Sequence, residues 1–139
     1  MKGNMMGCDI HLVLECKFDG DSSWTGVWSS DRMPGSRTLA ANRDYGLFSR
    51  FAVRGPSGGP VIYPRNIPRD VSELSWKLYM LAPTDHHSAS HCTIEEFTSA
   101  YLAEHPASDA VREKYASYDL FGVFGEDGEE YRLVFWFDN

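Results

Sequence analysis

The sequence lacks the features that mark membrane-spanning, secreted and disordered proteins. No apolar run approaches the roughly 18–20 residues that a membrane helix needs. The first eleven residues lack the apolar core of a signal peptide, so residence in the cytoplasm is expected. Three cysteines, Cys8, Cys16 and Cys92, form no Cys-x-x-Cys pair, which argues against a disulfide framework or a thiol-only zinc site. With 42% hydrophobic residues, the chain can fold as one domain over residues 1–139.

Lysine is missing from residues 32–69, although this segment carries seven arginines and a single acid, Asp44. The segment therefore has a net charge of +6, and the rest of the chain has a net charge of −13. The overall charge of −7 argues against binding of bulk nucleic acid. Arginine without lysine suits bidentate binding of phosphate or carboxylate. The alternative is a set of surface arginines that pair with the acidic flanks.

Alternating apolar and polar residues predict strands at both ends of the chain. The alternation is clear over residues 8–16 and again over 131–137, and we expect these two strands to lie in one sheet. A second strand is predicted at 24–28. Residues 119–124 are predicted to form a hairpin with the closing strand.

Helix-forming patterns occupy the middle of the chain. Helices are predicted at 42–54, at 71–81, after the capping box Thr93-Ile-Glu-Glu96, and at 108–116. Residues 83–92 are polar and are predicted to be irregular. The sequence therefore predicts an α+β fold. Its single domain has an antiparallel or mixed sheet that includes both terminal strands and packs against three or four short helices.

Three groups of residues have side chains suited to chemistry. Asp9 and His11 lie two apart on a strand and project side by side, as metal ligands do; an exposed loop pair is the alternative. Residues 85–91, Asp-His-His-Ser-Ala-Ser-His, suit zinc binding or proton transfer, or else form a solvated loop. Arg132 and Asp138 share a strand face, and pairing with the first strand would bring one of them to Asp9 and His11. The alternative there is an exposed salt bridge.

Several longer motifs resemble those of a family of small, mostly uncharacterised bacteriophage and prophage proteins. They are Met6-Gly-Cys-Asp-Ile-His11, Asn42-Arg-Asp-Tyr-Gly-Leu-Phe48, Arg65-Asn-Ile-Pro-Arg-Asp-Val-Ser72 and Val134-Phe-Trp-Phe-Asp-Asn139. The resemblance covers nearly the whole chain and implies a phage origin, with residues 1–5 as a short extension. It implies no catalytic roles. The chain departs from the family at Asn66-Ile67, where Gly-Leu is expected, and its histidine segment lacks a tryptophan.

The first functional interpretation is a phage accessory protein that binds a small anionic ligand of nucleotide type and sequesters a host-defence signal. Arginines would hold the phosphates, and aromatic rings would stack on a base. The predicted ligand-binding residues are Arg43, Tyr45, Arg54, Arg65, Arg69, Ser88, Arg132 and Trp136. Binding to a membrane is not expected, and a homo-oligomer is compatible with the sequence.

The second interpretation is a metal-dependent hydrolase that uses a divalent ion such as zinc or manganese to activate water. The predicted metal ligands are Asp9, His11, Asp85, His87 and His91. The candidates for catalysis are Asp9, His11, His87 and Asp138. A third interpretation is an interaction module that binds a host protein.

Overall fold

One four-stranded antiparallel sheet organises the residues that the computed structural model describes, namely 10–30, 50–51, 63–81, 86–104 and 130–138. The strands follow the order β2-β1-β4-β3 across the sheet. The elements are β1 (Ile10–Lys17), β2 (Thr25–Ser29), α1 (Glu73–Tyr79), β3 (His86–Thr93), α2 (Ile94–Glu104) and β4 (Glu130–Asp138). The predicted α+β character is confirmed. The helices predicted at 42–54 and 108–116 lie outside the described residues.

The two strands nearest the chain ends are direct neighbours, as the alternation predicted. β1 and β4 pair from Ile10 opposite Phe137 to Lys17 opposite Glu130. Side chains alternate between the two faces of a sheet. In this register His11 and Glu15 of β1 therefore lie on the same face as Trp136 and Arg132 of β4.

One face of the sheet carries the larger apolar core, and α2 packs against it. Phe97 and Tyr101 of α2 are buried there, as the helical pattern predicted. Phe51 stacks on Phe97 with ring centroids 5.2 Å apart. The sheet contributes Ile10, Leu12, Leu14, Trp28, Cys92, Leu133, Phe135 and Phe137.

The apolar core on the opposite face is smaller. It is covered by α1 together with the segment that precedes this helix. Val13, Val134 and Trp136 are buried against Leu78 of α1. The partly buried side chains of Ile67, Val71, Leu74, Tyr79 and Ala89 complete this second core. His11 and Glu15 lie on this face because they alternate with the apolar residues of the larger core.

Both described helices begin at side-chain caps. The predicted capping box of α2 is present: Glu96 N–H donates to Thr93 Oγ1 at 3.0 Å, and Thr93 N–H donates to Glu96 Oε1 at 2.9 Å. Ser72 caps α1 by accepting from Ser75 N–H at 3.2 Å. Neither helix is long and apolar enough to cross a membrane.

The prediction of an irregular segment is wrong over residues 86–92, which belong to strand β3, while residues 83–85 lie outside the described residues. The residues are polar, but pairing with β4 from His86 opposite Asp138 to Thr93 opposite Arg132 fixes the extended backbone. Asn66 N–H donates to Ala89 O at 2.9 Å on the other side of β3. β1 and β3 therefore occupy both edges of β4. Residues 119–124, the predicted hairpin partner of β4, lie outside the described residues.

Candidate functional site

Five side chains meet at one end of the smaller core: His11, Tyr79, His86, Trp136 and Asp138, here called the sheet-end cluster. His11 Nε2 lies 2.6 Å from Asp138 Oδ2. The His11 ring stacks on Trp136 with centroids 5.9 Å apart, and His86 lies 5.6 Å from each of these rings. Tyr79 contacts His86 at 5.2 Å and Trp136 at 5.3 Å.

The cluster lies at the boundary between the core and solvent. The side chains of His11 and Asp138 are 22% and 27% exposed, whereas Trp136 is fully buried beneath the imidazole of His11. Nε1 of Trp136 has no hydrogen-bond partner in the described part of the chain. Buried polar atoms are nearly always hydrogen-bonded, so this exception requires an explanation.

Strand geometry explains why these particular residues meet. His11 lies opposite Trp136, and His86 lies opposite Asp138, so the two histidines flank β4 from its two neighbouring strands. A bulge follows His87, and Ser88 there has a φ of 54°, in the left-handed region.

The predicted histidine ligands do not converge. His87 lies on the opposite face from His11, where its ring stacks on Phe137 at 5.9 Å and its Nδ1 lies 3.0 Å from Ser88 Oγ. No three histidine, cysteine or acidic residues among the described ones are grouped so that they could bind a metal ion. Asp9 and Asp85, the other predicted ligands, lie outside the described residues.

Two of the predicted ligand-binding arginines are engaged in ion pairs. Arg65 forms a bidentate pair with Glu96, at 2.8 and 2.6 Å, and also donates to His91 O at 3.2 Å. These side-chain hydrogen bonds from Arg65 lower the pKa of Glu96 to about 2. Arg69 is exposed. Arg43, Tyr45 and Arg54 lie outside the described residues.

Arg132 contacts Glu15, Asp70 and Trp24 and does not contact Asp138 among the described residues. Its Nε donates to the buried carboxylate of Glu15 at 2.7 Å, and its Nη1 donates to Asp70 Oδ1 at 2.9 Å. The guanidinium also lies 4.0 Å from the centre of the Trp24 ring, whose Nε1 donates to Asp70 Oδ2 at 3.1 Å. Because every donor nitrogen of Arg132 has a protein partner, the residue ties the segment before α1 to the sheet.

Comparison with known proteins identifies no relative. No family model, curated protein or solved structure matches this chain.

The sheet-end cluster combines two chemical capabilities. The rings of His11, His86 and Tyr79 offer flat surfaces of the kind that stack on heteroaromatic ligands. The carboxylate of Asp138 accepts hydrogen bonds, and it fixes the orientation of the His11 ring. This combination suits a ligand that is flat and carries N–H donors.

His86 and Tyr79 are members of the cluster that the sequence did not identify. Adjacent residues on an extended chain point in opposite directions. That divergence places His87 on one face and His86 on the other, beside His11. A prediction of strand structure for residues 86–93 would have found it.

A cavity of about 600 Å³ lies elsewhere, between β2 and α1. Trp24, Gly26 and Leu74 form part of its wall, and the exposed ion pair of Glu73 with Lys77, 2.8 Å long, lies at its rim. None of its lining residues belongs to the sheet-end cluster. Glu73 therefore provides a control position for experiments on the cluster.

Proposed function

We propose that this protein binds a small phosphorylated ligand of nucleotide type, with the base held at the sheet-end cluster. The observation that carries the proposal is the meeting of two imidazoles, a phenol ring and a carboxylate at the half-exposed end of one sheet face. Ligand sites commonly combine ring surfaces with a few polar groups that fix orientation.

The arginine-rich segment, residues 32–69, supports the proposal that the ligand is phosphorylated. Residues 63–72 cross the same sheet face, since Ile67 and Val71 pack against its core. Arg65 and Arg132 are engaged by Glu96, Glu15 and Asp70 and hold the framework. We therefore propose the remaining arginines predicted from the sequence, Arg43, Arg54 and Arg69, for the phosphate contacts.

We propose the biological role from the resemblance of the sequence motifs to those of phage proteins. A phage gains from a protein that captures a nucleotide signal of host defence in the cytoplasm of the infected cell. A small domain with a half-open ligand site is sufficient for capture, because sequestration requires affinity and no chemical step.

Calorimetry against a panel of mono-, di- and cyclic nucleotides and ADP-ribose tests the proposal. We expect at least one to bind, and Arg69→Ala to weaken it roughly tenfold to a hundredfold, because a charge-assisted hydrogen bond contributes about 1.5–3 kcal/mol. Glu73→Gln is the matched control and should leave binding unchanged. Absence of binding across the panel would favour the host-protein interaction module.

A metal-dependent hydrolase is the second candidate, and the 2.6 Å contact between His11 and Asp138 favours it. With the predicted ligands Asp9 and Asp85, these residues would hold a zinc or manganese ion that activates water. Metal analysis of protein purified without a histidine tag tests this candidate. Near-stoichiometric metal that is lost in His11→Ala supports it. Metal-free protein with no thermal shift on adding divalent ions counts against it.

A further inference from the structure

The cavity between β2 and α1 combines apolar walls with a rim that carries one positive and one negative charge. We propose that this cavity binds a free α-amino acid with an apolar side chain. The side chain would enter the cavity, and the ammonium and carboxylate groups of the ligand would lie at the rim. This inference goes beyond the proposed nucleotide site and does not depend on it.

The first observation is the size and lining of the cavity. Its volume of about 600 Å³ lies within the range of roughly 300–1,000 Å³ that small-molecule sites occupy. Trp24, Val71 and Leu74 line it. An aliphatic or aromatic side chain that leaves water for such surroundings gains free energy in proportion to the apolar area removed from water. The cavity therefore accommodates the side chain of an amino acid such as leucine.

Trp24 is held in place by contacts that involve no ligand. Its Nε1 donates to Asp70 Oδ2 at 3.1 Å, and the guanidinium of Arg132 lies 4.0 Å from the centre of its ring. Lys17 Nζ lies 5.1 Å from the same centre. A ring that is fixed by three neighbours loses little further conformational freedom when a ligand binds, so the ordering cost of binding is small.

The close approach of Leu74 to Gly26 fixes the position of α1 against β2. A Cβ on Gly26 would lie 2.7 Å from the Cβ of Leu74, so glycine is needed for the helix to approach the strand this closely. The two elements that form the walls are therefore in direct contact and give the cavity a defined width.

The rim supplies the two charges that bind an amino acid. Lys77 Nζ lies 2.8 Å from Glu73 Oε1, and the two side chains are 63% and 81% exposed. Exposed pairs of this kind contribute little to stability, so each residue can exchange its partner for a ligand group at small cost. A free amino acid carries an ammonium and a carboxylate on the same carbon. Its ammonium can pair with Glu73 while its carboxylate pairs with Lys77.

The paired charges at the rim also discriminate against ligands with a single charge. An anion is attracted by Lys77 and repelled by Glu73, and a cation is attracted by Glu73 and repelled by Lys77, so the two effects oppose each other in both cases. A ligand that carries both charges gains from both residues. An apolar amino acid is therefore the chemical class that matches the walls and the rim together.

An NMR titration of the full chain with L-leucine tests the inference. We expect the backbone amide signals of Gly26 and Leu74 and the indole signal of Trp24 to shift, while the signals of His11 and Trp136 stay unchanged. Glycine lacks an apolar side chain, so leucine should bind at least about tenfold more tightly than glycine. N-acetyl-L-leucine lacks the ammonium and L-leucinamide lacks the carboxylate, so each should bind about twofold to fivefold more weakly than leucine.

Two variants assign the two charges at the rim, and both should fold because the positions are exposed. Lys77→Gln should weaken leucine about twofold to fivefold without weakening L-leucinamide, which has no carboxylate to lose a partner. Glu73→Gln should weaken leucine by a similar factor without weakening N-acetyl-L-leucine. Glu95→Gln, an exposed position on α2, is the control and should leave all four affinities unchanged.

Each outcome decides for or against the inference. Absence of shifts at Gly26, Leu74 and Trp24 up to the solubility limit of leucine would overturn it. Glycine that binds as tightly as leucine would refute the apolar contact, and a blocked derivative that binds as tightly would refute the pairing of charges. The expected order of affinities, together with opposite responses of the two blocked derivatives to Lys77→Gln and Glu73→Gln, supports it.

Discussion

The carboxylate of Glu15 is fully buried and lies 2.7 Å from Nε of Arg132 on the neighbouring strand. The same carboxylate accepts from Ser72 N–H at 2.9 Å and from the Ser75 hydroxyl at 2.6 Å. One acidic side chain thus joins the sheet to the beginning of α1. Buried charges are tolerated when such partners surround them.

Glu15→Ala should therefore be strongly destabilising. The substitution leaves the guanidinium of Arg132, 12% exposed, beside an apolar methyl group. Breaking a buried pair by removing one partner costs about 3–5 kcal/mol of unfolding free energy. Urea denaturation followed by circular dichroism measures the loss. Glu73→Ala removes an exposed carboxylate and should have a far smaller effect; equal effects at the two positions would refute the structural role of Glu15.

Gly26→Ala should destabilise the protein through one specific contact. A Cβ at this position would lie 2.7 Å from the Cβ of Leu74, which requires β2 or α1 to move. Overpacking of this kind costs about 1–3 kcal/mol. In the background of Leu74→Gly, which removes this Cβ, the added methyl should cost much less, so a double-mutant cycle will be non-additive. Gly20→Ala is the control: it strains a backbone with φ of 87°, and Leu74 should not affect its cost.

The sequence was sufficient to predict the strands at the chain ends, because alternation over residues 8–16 and 131–137 leaves one arrangement that buries both apolar faces. β3 was missed because His-His-Ser-Ala-Ser-His has neither alternation nor strong strand propensity. Its extended backbone depends on β4 on one side and on Arg65 and Asn66 on the other. Such contacts between distant parts of the chain are not visible in a local pattern.

In the candidate site, too, some contacts could be predicted from the sequence and others could not. The contact of Asp138 with His11 followed from pairing of the terminal strands. The contact of Arg132 with Asp70 did not, since Asp70 lies in the segment before α1, whose position over the sheet is not visible in a local pattern. Glu15 alternates with the apolar residues of β1, so it lies on the side of the strand that carries His11. Only the position of α1 over that side makes it buried.

Glu96→Gln should remove stability that depends on pH. Hydrogen bonds from Arg65 lower the pKa of Glu96 to about 2 in the folded protein, while an unfolded glutamate has a pKa of about 4.3. Because the folded pKa is the lower one, the ionised carboxylate stabilises the fold above about pH 4.3, and this contribution is lost as the pH falls towards 2.

Urea midpoints of the wild type and Glu96→Gln, measured from pH 7 down to pH 3, check this expectation. The difference in urea midpoint between the two proteins should be constant near neutral pH and should narrow below about pH 4.5. Glu95→Gln, an exposed neighbour in the same helical turn, is the control and should show no such gap. A gap that widens on acidification would contradict the assigned ion pair.

His91 should make the fold sensitive to acid in the range around pH 6. Burial lowers the pKa of His91, and the positive charges of Arg132 and Arg65 lower it further. A neutral histidine whose folded pKa lies below its unfolded value of about 6.5 stabilises the fold above about pH 6.5. This contribution is lost as the pH falls below 6.5 towards the folded pKa. The wild type should therefore lose more stability between pH 7 and pH 5 than His91→Gln, which cannot be protonated. Thermal unfolding at the two pH values measures this difference, and an NMR titration of the His91 ring with a midpoint above 6.5 would contradict it.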